Sequence, residues 1–139
     1  MRMFRYICIL ICLSALYVGC GSRSSNIQNL EGFEDLIALT DSILQYFQQE
    51  KFDRIVCHLD EKAKQQLNEE KLADAWASVN AQVGNYKKSK IYSAEKISSV
   101  GEKIVFQCSF EYGKIYFQLF FGKDNLVIGL YFKPQPNFL

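Results

Sequence analysis

Histidine and tryptophan occur once each, as His58 and Trp76, and proline only twice. One histidine excludes any metal site that needs two imidazoles. The chain carries no G-x-S-x-G, no H-E-x-x-H, no P-loop and no dinucleotide-binding fingerprint, so the commonest motif-bearing hydrolase, protease and nucleotide chemistries are not indicated. An excess of one charge is lacking too. Lysine and arginine total 16 against 15 acids, a formal net charge of +1. Nucleic-acid binding draws on a strong basic field, and no nucleic-acid partner is expected. Of the five cysteines, Cys8, Cys12 and Cys20 belong to an N-terminal apolar segment. That leaves Cys57 and Cys108, far apart and without C-x-x-C spacing, which make no disulfide framework. A single Cys57–Cys108 bridge stays open in an oxidising compartment. Also absent is an apolar run of the roughly 20 residues that cross a bilayer, since the longest, Tyr6–Val18, is shorter.

Aromatics are abundant, with 11 Phe and 8 Tyr in 139 residues. That length suits one domain with a core of its own. The N-terminus, MRMFRYICILICLSALYVGC, sets two arginines before the apolar run and a small residue after it, the order of a secretory signal. Its end, Leu16-Tyr17-Val18-Gly19-Cys20, resembles a bacterial lipobox, with Tyr17 where leucine is usual. The resemblance implies cleavage before Cys20, whose thiol takes diacylglycerol as a thioether. Residues 1–19 are therefore expected to be a signal peptide, and their loss takes Arg2 and Arg5 and leaves a net charge of −1. Residues 20–31 are expected to be the lipidated cysteine and a polar, Ser- and Asn-rich tether. Residues 32–139 form the domain. Several acyl chains hold a protein on a membrane far more firmly than one, so the expected location is the cell membrane or outer membrane, exported and lipid-anchored.

Within the domain, Gly32–Lys51 repeats Phe33, Leu36, Ile37, Ile43, Leu44 and Phe47 at helical spacing. Phe52–Leu67 continues with Phe52, Ile55, Val56, Leu59, Ala63 and Leu67 on one stripe, with a break foreseen near Asp60-Glu61-Lys62. Asn68–Tyr86 is a third helix. Asn68 stands at its N-cap, Glu69 and Glu70 in its first turn, Gly84 at its end, and Leu72, Trp76, Val79 and Val83 on one face. From Asn85 the period changes to alternation. Strands are predicted over Lys87–Ile97, Glu102–Tyr112, Lys114–Phe121 and Asn125–Lys133. Their inward residues are Ile104, Phe106, Cys108, Phe110, Ile115, Phe117, Leu119, Phe121, Leu126, Ile128, Leu130 and Phe132. Short connections make them an antiparallel meander. The fold class is α+β, three N-terminal helices packed on one face of a curved four-stranded antiparallel sheet.

The run Phe52-Asp53-x-Ile55 … Leu59-Asp60-Glu61-Lys62 … Leu67 … Leu72 … Trp76 … Gly84, with the closing Gly129-Leu130-Tyr131-Phe132-x-Pro134, is similar to bacterial domain of unknown function 3887. The resemblance implies a cystatin-like cone of the nuclear-transport-factor-two superfold over most of the expected mature chain, and implies no reaction. Cones of that kind can hold a cavity between helices and sheet. Tyr46, Trp76, Phe106, Phe110 and Phe117 are the candidates to line it, though such stripes are more often plain core.

Catalytic candidates are few. Neighbouring helical residues point about 100° apart, so Cys57 and His58 cannot close on one ion with Asp60. Asp53, Asp60 and Glu61 fit helix starts. No catalytic residue, metal or cofactor is expected. The outer sheet face is read as Tyr92, Val105, Gln107, Ser109, Tyr116, Gln118, Phe120, Val127 and Tyr131, with Tyr92, Tyr116, Phe120 and Tyr131 as the candidate interface. Tyrosine among Gln and Ser suits a half-wet contact, and aromatic cross-strand pairing accounts for it equally well. The expected function is a membrane-anchored, non-catalytic binding domain, with a second copy or an envelope protein as partner. The alternatives are a carrier of small apolar ligands and a cryptic enzyme of the same superfold.

Overall fold

The computed structural model describes residues 30–135; the expected signal peptide, Cys20 and most of the expected tether lie outside them. Helix α1, Glu34–Gln48, buries Leu36, Thr40, Ile43, Leu44 and Phe47, three or four residues apart around one stripe. Thr40 is a polar side chain in that stripe, and its hydroxyl donates to the Leu36 carbonyl at 2.7 Å, which removes the cost of burying it. The chain turns out of α1 at Glu50, whose φ is 55°.

The second helical unit is two helices, so the domain has four rather than the three expected. Helix α2 spans Phe52–Val56 and α3 spans Glu61–Gln66. Two things hold them apart. Asp60 caps α3, accepting from the Ala63 amide at 2.7 Å. The turn before it is bonded to the far strand of the sheet. The Val127 amide donates to the His58 carbonyl at 2.8 Å and the Asp60 amide donates to the Val127 carbonyl at 3.0 Å. A continuous helix would have consumed both groups internally. Helix α4, Glu69–Val83, is capped by Asn68, which accepts from the Lys71 amide at 2.9 Å. It ends at Gly84, whose φ of 78° suits glycine.

The strands are β1, Tyr86–Ile97; β2, Gly101–Phe110; β3, Lys114–Phe121; and β4, Val127–Lys133, with a 3-10 turn at Lys123–Asn125 before the last. They pair antiparallel in the order β1-β2-β3-β4. The sheet carries bulges that alternation alone does not reveal. In β4, Phe120 pairs with Gly129 but Phe121 pairs with Val127, which leaves Ile128 as the extra residue. The phase flips there. Val127, expected outside, is fully buried and inward, whereas Leu126 and Ile128, expected inside, are only half-buried. Leu130 and Phe132, past the bulge, keep their inward places opposite Leu119 and Phe117.

All four helices contribute to one core against the inner sheet face. Its centre is Phe47. That ring meets Phe52, Trp76, Phe117 and Phe132 at centroid distances of 6.0, 5.5, 5.8 and 5.1 Å. Trp76 of α4 faces Phe110 and Phe132 beside it. The buried apolar residues described run from Phe33 to Leu130, so a chain starting at Gly21 carries this whole core. Among the described residues no helix is long and apolar enough to cross a membrane.

Candidate functional site

The helices cover one face of the sheet, and the other carries the candidate interface. Strand register assembles that outer face in rungs. Ser93, Val105, Gln118 and Tyr131 lie opposite one another across the four strands. The next rung in one direction is Lys90, Gln107, Tyr116 and Lys133, and in the other Glu95, Lys103, Phe120 and Gly129. Tyr92 is the extra residue of a bulge between Ile91 and Ser93. Its ring meets Tyr116 edge-on at 5.1 Å. Phe120 and Tyr131 make a second edge-on pair at 5.8 Å. The four residues singled out from the sequence, Tyr92, Tyr116, Phe120 and Tyr131, thus meet on one surface.

That surface is part self-supporting and part open. Val105 and Gln118, in its middle rung, are each 1% exposed although they face away from the helices. The surrounding aromatics account for that burial, as cross-strand pairing does. Gln107 donates to the Tyr116 hydroxyl at 2.8 Å. Tyr92 and Tyr131 remain 42% and 49% exposed, with ring area to spare for a partner.

A feature not anticipated from the sequence lies beside them. Lys88, Ser109 and Lys114 form the rung beyond Lys90, Gln107, Tyr116 and Lys133. These two rungs carry four lysines and no carboxylate. With strands about 4.8 Å apart and rungs about 7 Å apart, the four lie within a patch of roughly 14 by 7 Å. At the other end Lys103 is paired with Glu95. Glu111, just past Phe110, turns to Asn85 and accepts from its amide at 3.2 Å. The lysines of β1 escape a count by alternation because bulges at Lys87 and Tyr92 reset the phase twice.

On the inner face the five cavity candidates are placed as follows. Trp76, Phe110 and Phe117 are buried against other rings. Tyr46 is half-buried and stacks on His58 at 6.2 Å. Only Phe106 of the five candidates borders a surface groove of about 650 Å³ between α1 and β1. Leu30, Ile37 and Ile91 supply its apolar wall, and Glu34, Asp41 and Lys90 its rim. Among the described residues no three of His, Cys, Asp and Glu gather as metal ligands would.

Cys57 is exposed, Cys108 buried, and both are free thiols. Burial pushes the Cys108 thiol from 9.0 up to about 12, an accepted backbone hydrogen bond at Phe117 only partly opposing it. Burial likewise raises Tyr86, whose hydroxyl donates to Ser89. Both groups are neutral when protonated. The unfolded chain can shed the Cys108 proton above pH 9 while the folded chain keeps it until about 12. Stability from this source is therefore whole below pH 9 and declines above it. By pH 10 the Cys108 contribution to that decline is on the order of 1 kcal/mol. Urea midpoints at pH 7 and pH 10 are expected to differ less in Cys108→Ala than in the parent. Equal pH dependence in the two chains would contradict the assignment.

Over residues 40–130 the chain matches the family described as "Protein of unknown function (DUF3887)", and it belongs to that family. No curated protein and no solved structure matches it.

Proposed function

We propose that this family member is an exported, lipid-anchored protein of the bacterial cell envelope whose domain binds rather than catalyses. The binding surface is the outer face of the sheet. One observation carries this: the face is free of helices yet aromatic, with Tyr92 and Tyr131 exposed around the buried Val105 and Gln118. A face that needed only to be soluble would not leave two tyrosine rings half-exposed among its charges. The buried inward strand residues are Phe, Ile, Leu, Val, Ala94 and Cys108, side chains that offer area and no proton-transfer pair at neutral pH. The cystatin-like assignment is supported by the order of elements, helices first and then a four-stranded antiparallel meander.

The anchoring is supported by the junction at Cys20 and tested on the full chain. Cells expressing it are expected to incorporate radiolabelled palmitate into the protein and to lose that label with Cys20→Ala. Label retained in the variant would place the modification elsewhere and end the lipobox reading. A second reading, a carrier of small apolar ligands, rests on the groove between α1 and β1. It would show as an apolar molecule carried through purification.

A further inference from the structure

We infer that the lysine-bearing half of the outer sheet face, with its exposed tyrosines, is a docking surface for an anionic phospholipid membrane. Lys88, Lys90, Lys114 and Lys133 occupy two adjacent rungs without a carboxylate. Lys88, Lys90 and Lys114 are exposed and Lys133 is half-buried, its ammonium 5.3 Å from the Tyr131 ring centroid. The exposed Lys88, Lys90 and Lys114 cannot neutralise one another. They call for negative charge spread over a surface rather than for one small anion in a cleft. The net charge of the whole chain conceals this, because acids elsewhere balance it. On the following rung Tyr131 is half-exposed, and Tyr92 flanks it across the face. Tyrosine rings sit well at the headgroup level of a bilayer, and lysines near the surface strengthen contact with anionic lipid.

The inference deepens the binding face proposed above and rests on the anchored reading for its choice of surface. Residues 21–29 separate Cys20 from the described domain. Nine residues reach at most about 30 Å, so a lipidated Cys20 keeps the domain within reach of the bilayer. A second copy would bring its own four lysines to the contact, so charge selects an anionic partner over a symmetric dimer.

The test leaves the anchor out. The chain from Gly21 onward, which contains the whole core from Phe33 to Leu130, is sedimented with vesicles of phosphatidylglycerol in phosphatidylcholine and with phosphatidylcholine alone. Binding to the anionic vesicles is expected, weakening as salt shortens the Debye length. Each lysine changed to glutamine is expected to lower partitioning about fivefold. K88Q/K90Q/K114Q/K133Q together are expected to abolish it, with the circular dichroism spectrum and urea midpoint kept. Lys62→Gln and Lys71→Gln, on α3 and α4, are expected to change nothing. Equal binding to both vesicle types, an unchanged quadruple variant, or a dimer that Tyr131→Glu dissociates with no vesicle binding would each overturn the inference. Palmitate labelling reports separately on Cys20, so a failed docking surface and a failed anchor remain distinguishable.

Discussion

Phe47→Ala is expected to lose about 3–5 kcal/mol, the cost of deleting a fully enclosed phenylalanine. The reason is position. Phe47 is completely buried, and its ring touches one aromatic of α2, one of α4, one of β3 and one of β4. Removing it opens a cavity bounded by both layers, and neither layer can collapse into the space without moving the other. Against a typical total of about 5–15 kcal/mol, such a loss leaves a marginal domain. Phe52→Ala is the comparison. Phe52 is half-buried at the edge of the same cluster and keeps solvent on one side, so its loss is expected to be smaller. Urea midpoints of the two variants decide the matter. A Phe47→Ala midpoint no lower than that of Phe52→Ala would remove Phe47 from the centre of the core.

That centre was not legible in the sequence, although most of the architecture was. Residues such as Phe106, Cys108, Phe110 and Ile115, Phe117, Leu119, Phe121 alternate so regularly that strands β2 and β3 and their inward faces follow from spacing alone. Asn68 and Gly84 bracket α4 because capping and the left-handed turn place specific demands on side chain and backbone. Trp76 drew attention by being unique, yet the ring joining both layers belongs to an ordinary phenylalanine. Which of 11 phenylalanines is central depends on long-range pairing that no local period records.

The lysines of the outer sheet face were not legible for a different reason. A bulge adds one residue with no compositional mark, and every side chain beyond it changes face. At Ile128 this brought Val127 inward and put Leu126 and Ile128 aside. At Lys87 and Tyr92 it set Lys88 and Lys90 beside Gln107, Ser109 and Tyr116. The tyrosines Tyr92, Tyr116 and Tyr131 could be assigned outward strand by strand. Their juxtaposition with four lysines is a property of the register between strands, as is the neutral pairing of Lys103 with Glu95 at the other end.

Register also makes Gly101 the most restrictive glycine of the sheet. Its φ is 136°, and a Cβ built there would lie 1.8 Å from the Phe121 carbonyl oxygen, which is backbone and cannot rotate away. Gly101 opens β2 next to the Glu102–Phe121 pair, so any side chain must push β3 off β2 at the rung where β2 begins and β3 ends. Gly32 supplies the control, since its φ is 89° and an added Cβ would meet nothing within 4 Å. Gly32→Ala is expected to cost only the backbone strain of a left-handed alanine, about 1–2 kcal/mol. Gly101→Ala adds the collision to that strain and is expected to cost about 4 kcal/mol, a size reserved for a few severe mechanisms. Because β3 carries Phe117 and Tyr116 on its opposite faces, the displacement is expected to disturb the core and the outer sheet face together. Urea midpoints for both variants, with amide exchange at Glu102 and Phe121, check this. If the two alanines cost the same, the close approach of Gly101 to Phe121 is wrong, and with it the tight register of β2 on β3 at that end.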